Sequence, residues 1–238
     1  MLDLDDKVVI VTGGNHGIGA AIVEVLEDFG AKVAYNYRSE PGPRGTLAVR
    51  ADVTDAEGMN AFAGQVEKEL GPIYGCVANA GVIKDNLILK MPEEDWDYVL
   101  NVNLKGAFVT AKAVLPYMYE RNEGSLVFIS SLGGQRGNIG QANYSASKAG
   151  MMAMAQTIAL EGARYNVRCN VVAPGYTSTD LTKGIPEKVE QVLLKQIPMR
   201  RFADPKEMAW ASAFFLSPVA SSYITGQVLG VNGGQYFS

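Results

Sequence analysis

Tyr144 and Lys148 are the residues whose types and spacing point most directly to chemistry. On a helix, a separation of four places the phenol and the ammonium on the same face, about 6 Å apart along the axis. A phenol titrates near pH 10, and a fixed ammonium beside it favours the phenolate, so we expect the pKa of Tyr144 to be lowered. Such a tyrosine can protonate a carbonyl oxygen while a hydride reaches the adjacent carbon. An isolated pair of this kind could equally lie on a solvated helix face.

A serine pair, Ser130-Ser131, closes an apolar run that begins at Leu126. The run predicts a buried strand over residues 126–131, and a glycine-rich loop of about twelve residues should connect it to the helix of Tyr144. Serines at the C-terminal end of a parallel strand lie at the edge where such sheets bind ligands. One of these hydroxyls could therefore reach the same substrate as Tyr144.

A glycine-rich turn follows a β-branched apolar run at residues 7–11 and leads into an amphipathic helical pattern. Gly13, Gly17 and Gly19 permit a tight turn, and backbone N–H groups at the start of the helix can then hold a pyrophosphate. Strand, turn and helix together predict the first half of a dinucleotide-binding unit. His16, the one histidine of the chain, lies in this turn, where it could contact phosphate or be an exposed loop residue.

The second predicted strand, residues 32–37, ends where a dinucleotide-binding fold distinguishes NAD from NADP. An acidic residue at that point binds the ribose 2′-hydroxyl, whereas a cation binds the 2′-phosphate. Arg38 supplies a cation, which favours NADPH, although Glu40 lies close by and Arg38 could be a plain surface residue. Residues 39–45 contain two Pro and two Gly and leave no room for a crossover helix.

Three further strands are predicted to end at the same ligand edge. The third, residues 47–53, carries Asp52 near its end, where the carboxylate could meet the adenine ring or cap the turn. The fourth, residues 73–79, leads into the small residues Ala80 and Gly81, which leave space for a cofactor. The sixth, residues 167–173, is followed by Pro174-Gly175.

An insert at residues 176–201 lacks both strand alternation and a helical repeat, apart from a short piece near residues 189–195. Long irregular segments at a ligand edge commonly act as lids, so this insert is predicted to close over the substrate. After it, Asp204-Pro-Lys-Glu207 predicts a helix with a capping box. A last short strand is expected at residues 228–231.

The composition excludes several classes of function. With 238 residues, 47% hydrophobic residues and a net charge of −4, the chain predicts one α/β domain without a basic surface for nucleic acid or membrane. Cys76 and Cys169 lack disulfide or metal-ligand spacing and are expected to be buried thiols of a cytoplasmic protein. No signal peptide or apolar membrane span is recognisable. The single histidine argues against a Ser/His/Asp hydrolase, and no metal site is predicted.

Taken together, the motifs resemble the short-chain dehydrogenase/reductase family. They match its pattern from one end of the chain to the other, at Thr12-Gly13-x-x-x-Gly17-Ile-Gly19, Asn79-Ala-Gly81, Asn103, Ser131, Tyr144-x-x-x-Lys148 and Pro174-Gly175. The resemblance implies a single Rossmann-type doubly wound domain over residues 1–238. It further implies a seven-stranded parallel sheet in the order 3-2-1-4-5-6-7, helices on both faces, and a homotetramer.

The resemblance also assigns catalytic roles. Tyr144 would be the acid/base, Ser131 would donate a hydrogen bond to the substrate carbonyl, and Lys148 would bind the nicotinamide ribose and act on the tyrosine pKa. Asn103 would hold a water that continues the proton relay. Ser130 competes for the serine role, but the spacing to Tyr144 favours Ser131.

The cofactor implied by the resemblance is NADP(H). Thr179 would contact the nicotinamide carboxamide, unless it is a simple turn residue. The full set of expected cofactor contacts is Gly13, Asn15, His16, Gly17, Ile18, Gly19, Arg38, Asp52, Val53, Asn79, Ala80, Gly81, Tyr144, Lys148, Pro174, Gly175, Thr177 and Thr179.

Within the family, the chain is most similar to bacterial reductases of 3-oxoacyl thioesters, at Val82-Ile-Lys-Asp85-Asn86, Gly140-Gln141-Ala-Asn143-Tyr144 and Asn170-Val-Val-Ala-Pro174-Gly175. The implied substrate contacts are Asp85, Ser131, Gln141, Tyr144 and Tyr176. Gln141 and Tyr176 match the acetoacetyl-CoA branch. Two arginines with which the other branch docks acyl carrier protein appear here as Asn122 and Tyr165.

These departures favour reduction of acetoacetyl-CoA to (R)-3-hydroxybutyryl-CoA, as in polyhydroxybutyrate synthesis, over 3-oxoacyl-acyl-carrier-protein reduction in fatty-acid synthesis. A sugar or alcohol dehydrogenase is a further alternative, because the fold and the catalytic residues do not choose a substrate. A cofactor-binding module without catalysis is a remote one. The missing helix after Arg38 departs from both thioester branches and affects the adenosine end of the site.

Overall fold

The computed structural model describes residues 2–42, 44–179, 184 and 186–237. Seven strands form one parallel sheet in the order β3-β2-β1-β4-β5-β6-β7, as predicted. They are β1 (Val8–Thr12), β2 (Lys32–Tyr37), β3 (Leu47–Arg50), β4 (Ile73–Ala78), β5 (Gly124–Ile129), β6 (Val167–Pro174) and β7 (Val228–Val231). The order reverses between β1 and β4, and such a switch point opens a crevice at the carboxyl ends of the strands.

Eight α-helices are described. They are α1 (Gly17–Asp28), α2 (Ala56–Glu69), α3 (Glu93–Leu100), α4 (Gly106–Arg121), α5 (Leu132–Arg136), α6 (Ala142–Gly162), α7 (Glu187–Gln196) and α8 (Pro205–Leu216). Short 3-10 segments lie at Ile88–Lys90 and Ala163–Tyr165, and a π-helical segment, Asn101–Lys105, joins α3 to α4. None of the described helices is both long and apolar enough to cross a bilayer.

The sheet is buried on both faces, because alternate residues of its central strands belong to two separate cores. Ile10 and Phe128 belong to the core that includes residues of α2, α4 and α6. Val9 and Val127 belong to the core that includes residues of α1 and α8. Strands covered on both sides have continuous apolar sequences, which is why they were recognisable as buried runs.

Several predicted boundaries shift. β3 ends at Arg50, so Asp52 follows the strand, and β5 ends at Ile129, before the two serines. The glycine-rich loop predicted after Ser131 is wrong in part, because α5 forms directly there. In the connection from β2 to β3, none of the described residues is helical, as expected. The predicted capping box is confirmed at the start of α8, between Asp204 and Glu207.

The predicted lid at residues 176–201 is described only in part, since residues 180–183 and 185 lie outside the described residues. Its helical piece is α7, in which no residue is buried. Cys76 and Cys169 are free and buried, and burial raises the pKa of the Cys76 thiol to about 12. Both thiols are therefore protonated, inert parts of the core.

Candidate active site

A cavity of about 860 Å³ opens at the carboxyl ends of the strands. This volume lies in the range of small-molecule and cofactor sites. Nearly all the site residues expected from the sequence line it, namely Gly13, Asn15, His16, Gly17, Ile18, Gly19, Arg38, Asp52, Val53, Asn79, Ala80, Gly81, Asp85, Ser131, Gln141, Tyr144, Lys148, Pro174, Gly175, Tyr176, Thr177 and Thr179. Asn103 is the exception, because it lies fully buried behind the wall.

The phosphate turn, residues 12–19, closes tightly at the start of α1. A Cβ on Gly19 would lie 2.1 Å from the Gly13 carbonyl oxygen, so only glycine permits this turn. His16 is the N-cap residue and makes no side-chain hydrogen bond to the helix, whose first turn holds no acidic residue. Free N–H groups at a helix N-terminus suit an anion, and the turn therefore fits the pyrophosphate of a dinucleotide.

Thr12 and Asn79 fasten the ends of β1 and β4 on either side of the switch point. The Thr12 hydroxyl accepts hydrogen bonds from the N–H groups of Asn79 at 3.0 Å and Ala80 at 3.1 Å. The Asn79 amide in turn donates to the Thr12 carbonyl oxygen at 3.0 Å. Because the two strand ends hold each other, the floor of the cavity is fixed before any ligand binds.

Asn36, for which no role was predicted, fixes the phosphate turn from β2. Its side chain accepts from the Gly13 N–H at 3.2 Å and donates to the Ala51 carbonyl oxygen at 2.9 Å. The residue is 3% exposed, so both bonds are shielded from water. The sequence did contain one indication of this role, namely an asparagine in a strand that is otherwise mostly apolar. A buried amide needs hydrogen-bond partners.

At the adenosine end, Arg38 is exposed on the cavity wall, directly after β2. Asp52 accepts hydrogen bonds from the N–H and the hydroxyl of Thr54, at 2.9 and 2.8 Å. The turn-capping alternative for Asp52 is therefore what the structure shows, although the residue also borders the cavity.

The opposite end of the cavity holds the catalytic candidates. The Ser131 hydroxyl lies near enough to the Tyr144 phenol to act on it, and this contact lowers the pKa of Tyr144 in part. The Ser131 oxygen also accepts the Gly133 N–H at 3.0 Å, in its role as N-cap of α5. The bond from Gly133 uses only a lone pair of the Ser131 oxygen, so its O–H can still donate to the phenol or to a ligand in the cavity.

The Lys148 ammonium is buried and donates to the Ile129 carbonyl oxygen at 2.7 Å. It lies 5.7 Å from the centre of the Tyr144 ring. Burial lowers the pKa of Lys148 to about 8 and raises the pKa of Tyr144, with a further rise from the nearby Asp85 carboxylate. The expected lowering of the tyrosine pKa by the lysine is therefore wrong for this arrangement, in which loss of hydration is the largest effect.

Ser130, the alternative to Ser131, is engaged elsewhere. It is 2% exposed, and its hydroxyl donates to the Lys148 carbonyl oxygen at 2.8 Å. Ser130 therefore ties β5 to α6, whereas Ser131 faces the phenol. The geometry agrees with the preference for Ser131.

Asn103 lies in the π-helical segment and supports the site from behind. Its amide oxygen accepts the Val82 N–H at 2.8 Å, and its nitrogen donates to the Val82 carbonyl at 3.0 Å and the Ser147 hydroxyl at 3.1 Å. Ser147 in turn donates to the Tyr144 carbonyl oxygen at 2.7 Å. The Asn103 side chain thus connects the segment after β4 to α6. Its expected role in holding a relay water stays a prediction.

Asn143 is a second residue whose role was missed. Its side-chain oxygen accepts the Tyr144 N–H at 2.7 Å, and its nitrogen donates to the carbonyl oxygens of Lys84 at 3.0 Å and Asp95 at 3.2 Å. The residue is fully buried. It therefore fixes the first turn of α6 against the segment after β4 and against α3. No local pattern could reveal this role, because the two carbonyl groups bound by the Asn143 nitrogen are distant in sequence.

Asp85 and Gln141 form a pair at the cavity rim. The Gln141 amide donates to both Asp85 carboxylate oxygens, at 3.1 and 3.0 Å, and its oxygen accepts from Asn138 at 3.1 Å. Burial raises the pKa of Asp85. The paired amide and carboxylate give the rim a fixed polar edge for a substrate.

The remaining wall follows β6. Tyr176 stacks on Phe202 with ring centres 5.7 Å apart, and Thr177 donates to the Gly175 carbonyl oxygen at 3.1 Å. Thr179 lies over the phosphate turn, where a Cβ on Gly17 would be 3.6 Å from its methyl group. Tyr176, Thr177 and Thr179 thus line the same cavity as Tyr144. Over the described ranges, no group of three or more His, Cys, Asp or Glu side chains is placed to hold a metal.

Comparison with known proteins agrees with this geometry. The family model described as enoyl-(acyl carrier protein) reductase matches residues 13–235. An acetoacetyl-CoA reductase of Synechocystis sp. is 55% identical over 99% of this chain and 98% of its own. The 3-oxoacyl-acyl-carrier-protein reductase MabA of Mycobacterium bovis is 43% identical, over 95% of this chain and 91% of its own.

The corresponding reductase FabG of Vibrio cholerae is 40% identical over 99% of both chains. Matches of this extent cover the phosphate turn, the serine, the tyrosine and the lysine together. The chain is a reductase that belongs to the short-chain dehydrogenase/reductase family.

Proposed function

We propose that the protein reduces acetoacetyl-CoA to (R)-3-hydroxybutyryl-CoA with NADPH. The observation that carries the reaction type is the placement of Ser131, Tyr144 and the buried Lys148 together on the wall of one cavity. The relative with 55% identity, named acetoacetyl-CoA reductase, supports the substrate. The residues of the phosphate turn fit the cofactor, which supplies the hydride when bound.

In the proposed mechanism, the two hydroxyls bind and polarise the ketone oxygen. Ser131 donates its O–H, and Tyr144 gives its proton to that oxygen as negative charge develops on it. The raised pKa of Tyr144 keeps the phenol protonated at neutral pH, as a proton donor for reduction requires. Lys148, whose ammonium donates to the Ile129 carbonyl oxygen, would bind the ribose hydroxyls of the cofactor.

The positions of Asn122 and Tyr165 support a CoA thioester over a carrier-protein thioester. Asn122 is the left-handed C-cap of α4, and the Tyr165 ring stacks on Tyr119 with centres 4.3 Å apart. Neither position offers a cation to an acidic carrier. The neighbouring Arg121 is bonded to Glu67 at 2.6 Å, so it belongs to an ion pair within the chain.

The runner-up function is reduction of a 3-oxoacyl-carrier-protein, which the two relatives with 43% and 40% identity support. The discriminating measurement is initial-rate oxidation of NADPH with acetoacetyl-CoA and then with acetoacetyl-carrier protein. Strong turnover of the CoA ester with little gain from the carrier supports the proposal. A large preference for the carrier selects the runner-up, and silence with both rejects the proposed substrate while the family assignment stands.

NADPH is the proposed cofactor because Arg38 stands at the adenosine end of the cavity. Running the same assay with NADH tests this choice, and a higher kcat/KM with NADH would reject it. The carboxylate nearest in sequence, Glu40, is exposed and its backbone carbonyl accepts a bond from Asn15. The proposal also includes a single domain in which the insert at residues 176–201 acts as a lid. On α7, which belongs to this insert, Val189 and Val192 are exposed.

A homotetramer in the cytoplasm is proposed as the working form. A shallow hollow of about 680 Å³ on α3 and α4 is lined in part by Tyr98, Leu104 and Phe108. Phe108 is 50% exposed, and Leu160 on α6 is 82% exposed. Exposed apolar patches of this kind mark protein interfaces, and equilibrium sedimentation would check the assembly. The two free thiols suit a reducing compartment.

A further inference from the structure

Tyr35 is a buried tyrosine at the adenosine end of the site to which the proposed reaction gives no role. It lies in β2 and is 1% exposed. Its hydroxyl accepts the Gly42 N–H at 2.7 Å and donates to the Gly42 carbonyl oxygen at 3.1 Å. Gly42 belongs to the β2–β3 connection, residues 38–46, which takes the place of a crossover helix. One phenol thus satisfies both backbone groups of the same residue.

The Tyr35 side chain also touches the phosphate turn. A Cβ on Gly14 would lie 2.5 Å from the Cβ of Tyr35, and a Cβ on Gly45 would lie 2.4 Å from Cε1 of its ring. Such distances admit no side chain, so both glycines pack directly on the tyrosine. Tyr35 is therefore in contact with the phosphate turn through Gly14 and with the β2–β3 connection through Gly42 and Gly45.

Further bonds fix the β2–β3 connection next to Arg38. The Arg50 side chain donates to the Arg38 carbonyl oxygen at 3.0 Å, and the Asn15 side chain donates to the Glu40 carbonyl oxygen at 3.0 Å. At the other end, Arg44 pairs with acidic residues of α1, including Asp28 at 3.0 Å. The backbone at Arg38 and Glu40 is thus held from β3 and from the phosphate turn, and the far end of the connection is held from α1.

We propose that Tyr35 is a positioning residue that couples the β2–β3 connection to the phosphate turn and thereby sets the preference for a dinucleotide with a 2′-phosphate. This inference rests on the proposed use of NADPH. The attraction between a guanidinium and a phosphate falls with distance and with loss of a fixed geometry. Loss of the Tyr35 bonds loosens the connection at Gly42, so Arg38, although still bonded to Arg50, is placed less precisely on the cavity wall, whereas the turn can still bind the pyrophosphate.

Two adenosine fragments test this inference without any catalysis. 2′,5′-ADP and 5′-AMP differ only in the 2′-phosphate, and their affinities are measured by isothermal titration calorimetry. The variant Tyr35→Phe removes the bonds to Gly42 and keeps the ring. We expect it to bind 2′,5′-ADP about fivefold more weakly, the change expected from losing one such contact, and to bind 5′-AMP with nearly unchanged affinity.

Tyr74→Phe is the matched control. Tyr74 is a buried phenol in the same core as Tyr35, and it donates to the Leu216 carbonyl oxygen at 2.8 Å, far from the cavity residues. We expect this variant to lose stability to a similar extent while binding both fragments as the parent does. With NADPH in steady-state assays, Tyr35→Phe should raise KM and leave kcat unchanged, since Tyr35 does not touch the reacting atoms.

Three results would overturn the inference. Retention of the full preference for 2′,5′-ADP in Tyr35→Phe would show that Tyr35 does not act on the 2′-phosphate, with the NADPH assignment left standing. Equal weakening of both fragments would show a general structural role. A parent protein with no preference for 2′,5′-ADP would reject the NADPH assignment itself and the inference with it.

A second variant keeps the test decisive if Tyr35→Phe does not fold. In Gly42→Ala, the added Cβ would lie 2.9 Å from the Asn15 Cα, so the connection must move away from the phosphate turn while Tyr35 is retained. We expect the same selective loss of 2′,5′-ADP affinity. Unchanged discrimination between the two fragments in this variant would contradict the proposed coupling.

Discussion

The Lys148 ammonium lies 5.7 Å from the centre of the Tyr144 ring and donates its hydrogen bond to the Ile129 carbonyl oxygen, 2.7 Å away. Both groups are therefore governed first by burial, which shifts their pKa values in opposite directions. A desolvated phenol stays protonated and a buried ammonium loses its proton readily, because both shifts favour the neutral form. The pair holds a proton for reduction on the tyrosine.

The first prediction concerns the proton donor. Tyr144→Phe removes the phenolic O–H and keeps the ring, so kcat for ketone reduction should fall by about 10² or more. Affinity for NADPH, measured by quenching of protein fluorescence, should remain that of the parent. Near-normal turnover in this variant would reject Tyr144 as the general acid.

The second prediction separates the two serines. Ser131→Ala should lower kcat by about 10², the usual effect of removing one hydrogen bond from a developing oxyanion. Ser130→Ala should keep most of the turnover and lose about 1 kcal/mol of unfolding free energy, because its hydroxyl bonds only the Lys148 carbonyl among described groups. Steady-state kinetics and urea unfolding of both variants check this, and the reverse pattern would exchange their roles.

The third prediction follows from the pKa of Lys148, which is about 8 in the folded protein against an ordinary value of 10.5. Below pH 8 both the folded and unfolded states carry the charge, and its burial destabilises the fold in full. Between pH 8 and 10.5 the unfolded state binds more protons, so stability rises with pH. Relative to that of Lys148→Met, the free energy of unfolding of the parent should rise by up to about 3 kcal/mol across this interval.

Urea unfolding of the parent and of Lys148→Met at pH 7.5, 9 and 10.5 measures that difference, in which the contributions of all other groups cancel. A difference that does not change with pH would mean that the Lys148 ammonium is hydrated in the folded state. The variant is also expected to be inactive, so any stability it gains at neutral pH would come at the expense of function.

The order of the sheet and the position of the phosphate turn could be predicted because buried strands and glycine turns leave local patterns. Helix α5 was missed because Gly133 and Gly134 are typical of loops. The structure shows why a helix there needs glycine, since a Cβ on Gly134 would lie 2.8 Å from the Lys148 carbonyl carbon. Close packing of α5 on α6 is a tertiary contact that no local pattern contains.

The support of the site was equally hidden from the sequence. Asn36 and Asn143 fix the phosphate turn and the first turn of α6, but each acts on backbone groups that are distant along the chain. The pKa of Tyr144 was predicted in the wrong direction because spacing on a helix gives proximity to a charge and says nothing of burial. Residue types thus identified the reacting groups, and the fold determined their electrostatics.

The last prediction concerns Glu207, which accepts two bonds from Arg201, at 2.5 and 2.6 Å, and one from the Asp204 N–H at 2.8 Å. These bonds lower the pKa of Glu207 to about 2 from 4.5. Because the folded pKa is depressed, the stabilisation is complete above pH 4.5 and is lost as the pH falls toward 2.

Glu207→Gln should therefore lower Tm at pH 7 and approach the parent's Tm as the pH falls toward 2. Both side chains are partly exposed, so 1 M NaCl should also shrink the gap at pH 7. Adding Arg201→Gln to the variant should cause little further loss, since the two charges stabilise each other. Protonation of Glu207 weakens its ion pair with Arg201 but leaves an uncharged hydrogen bond at the helix cap. A difference in Tm that stays constant from pH 7 to 2.5 would therefore show that Glu207 acts through the cap hydrogen bond alone.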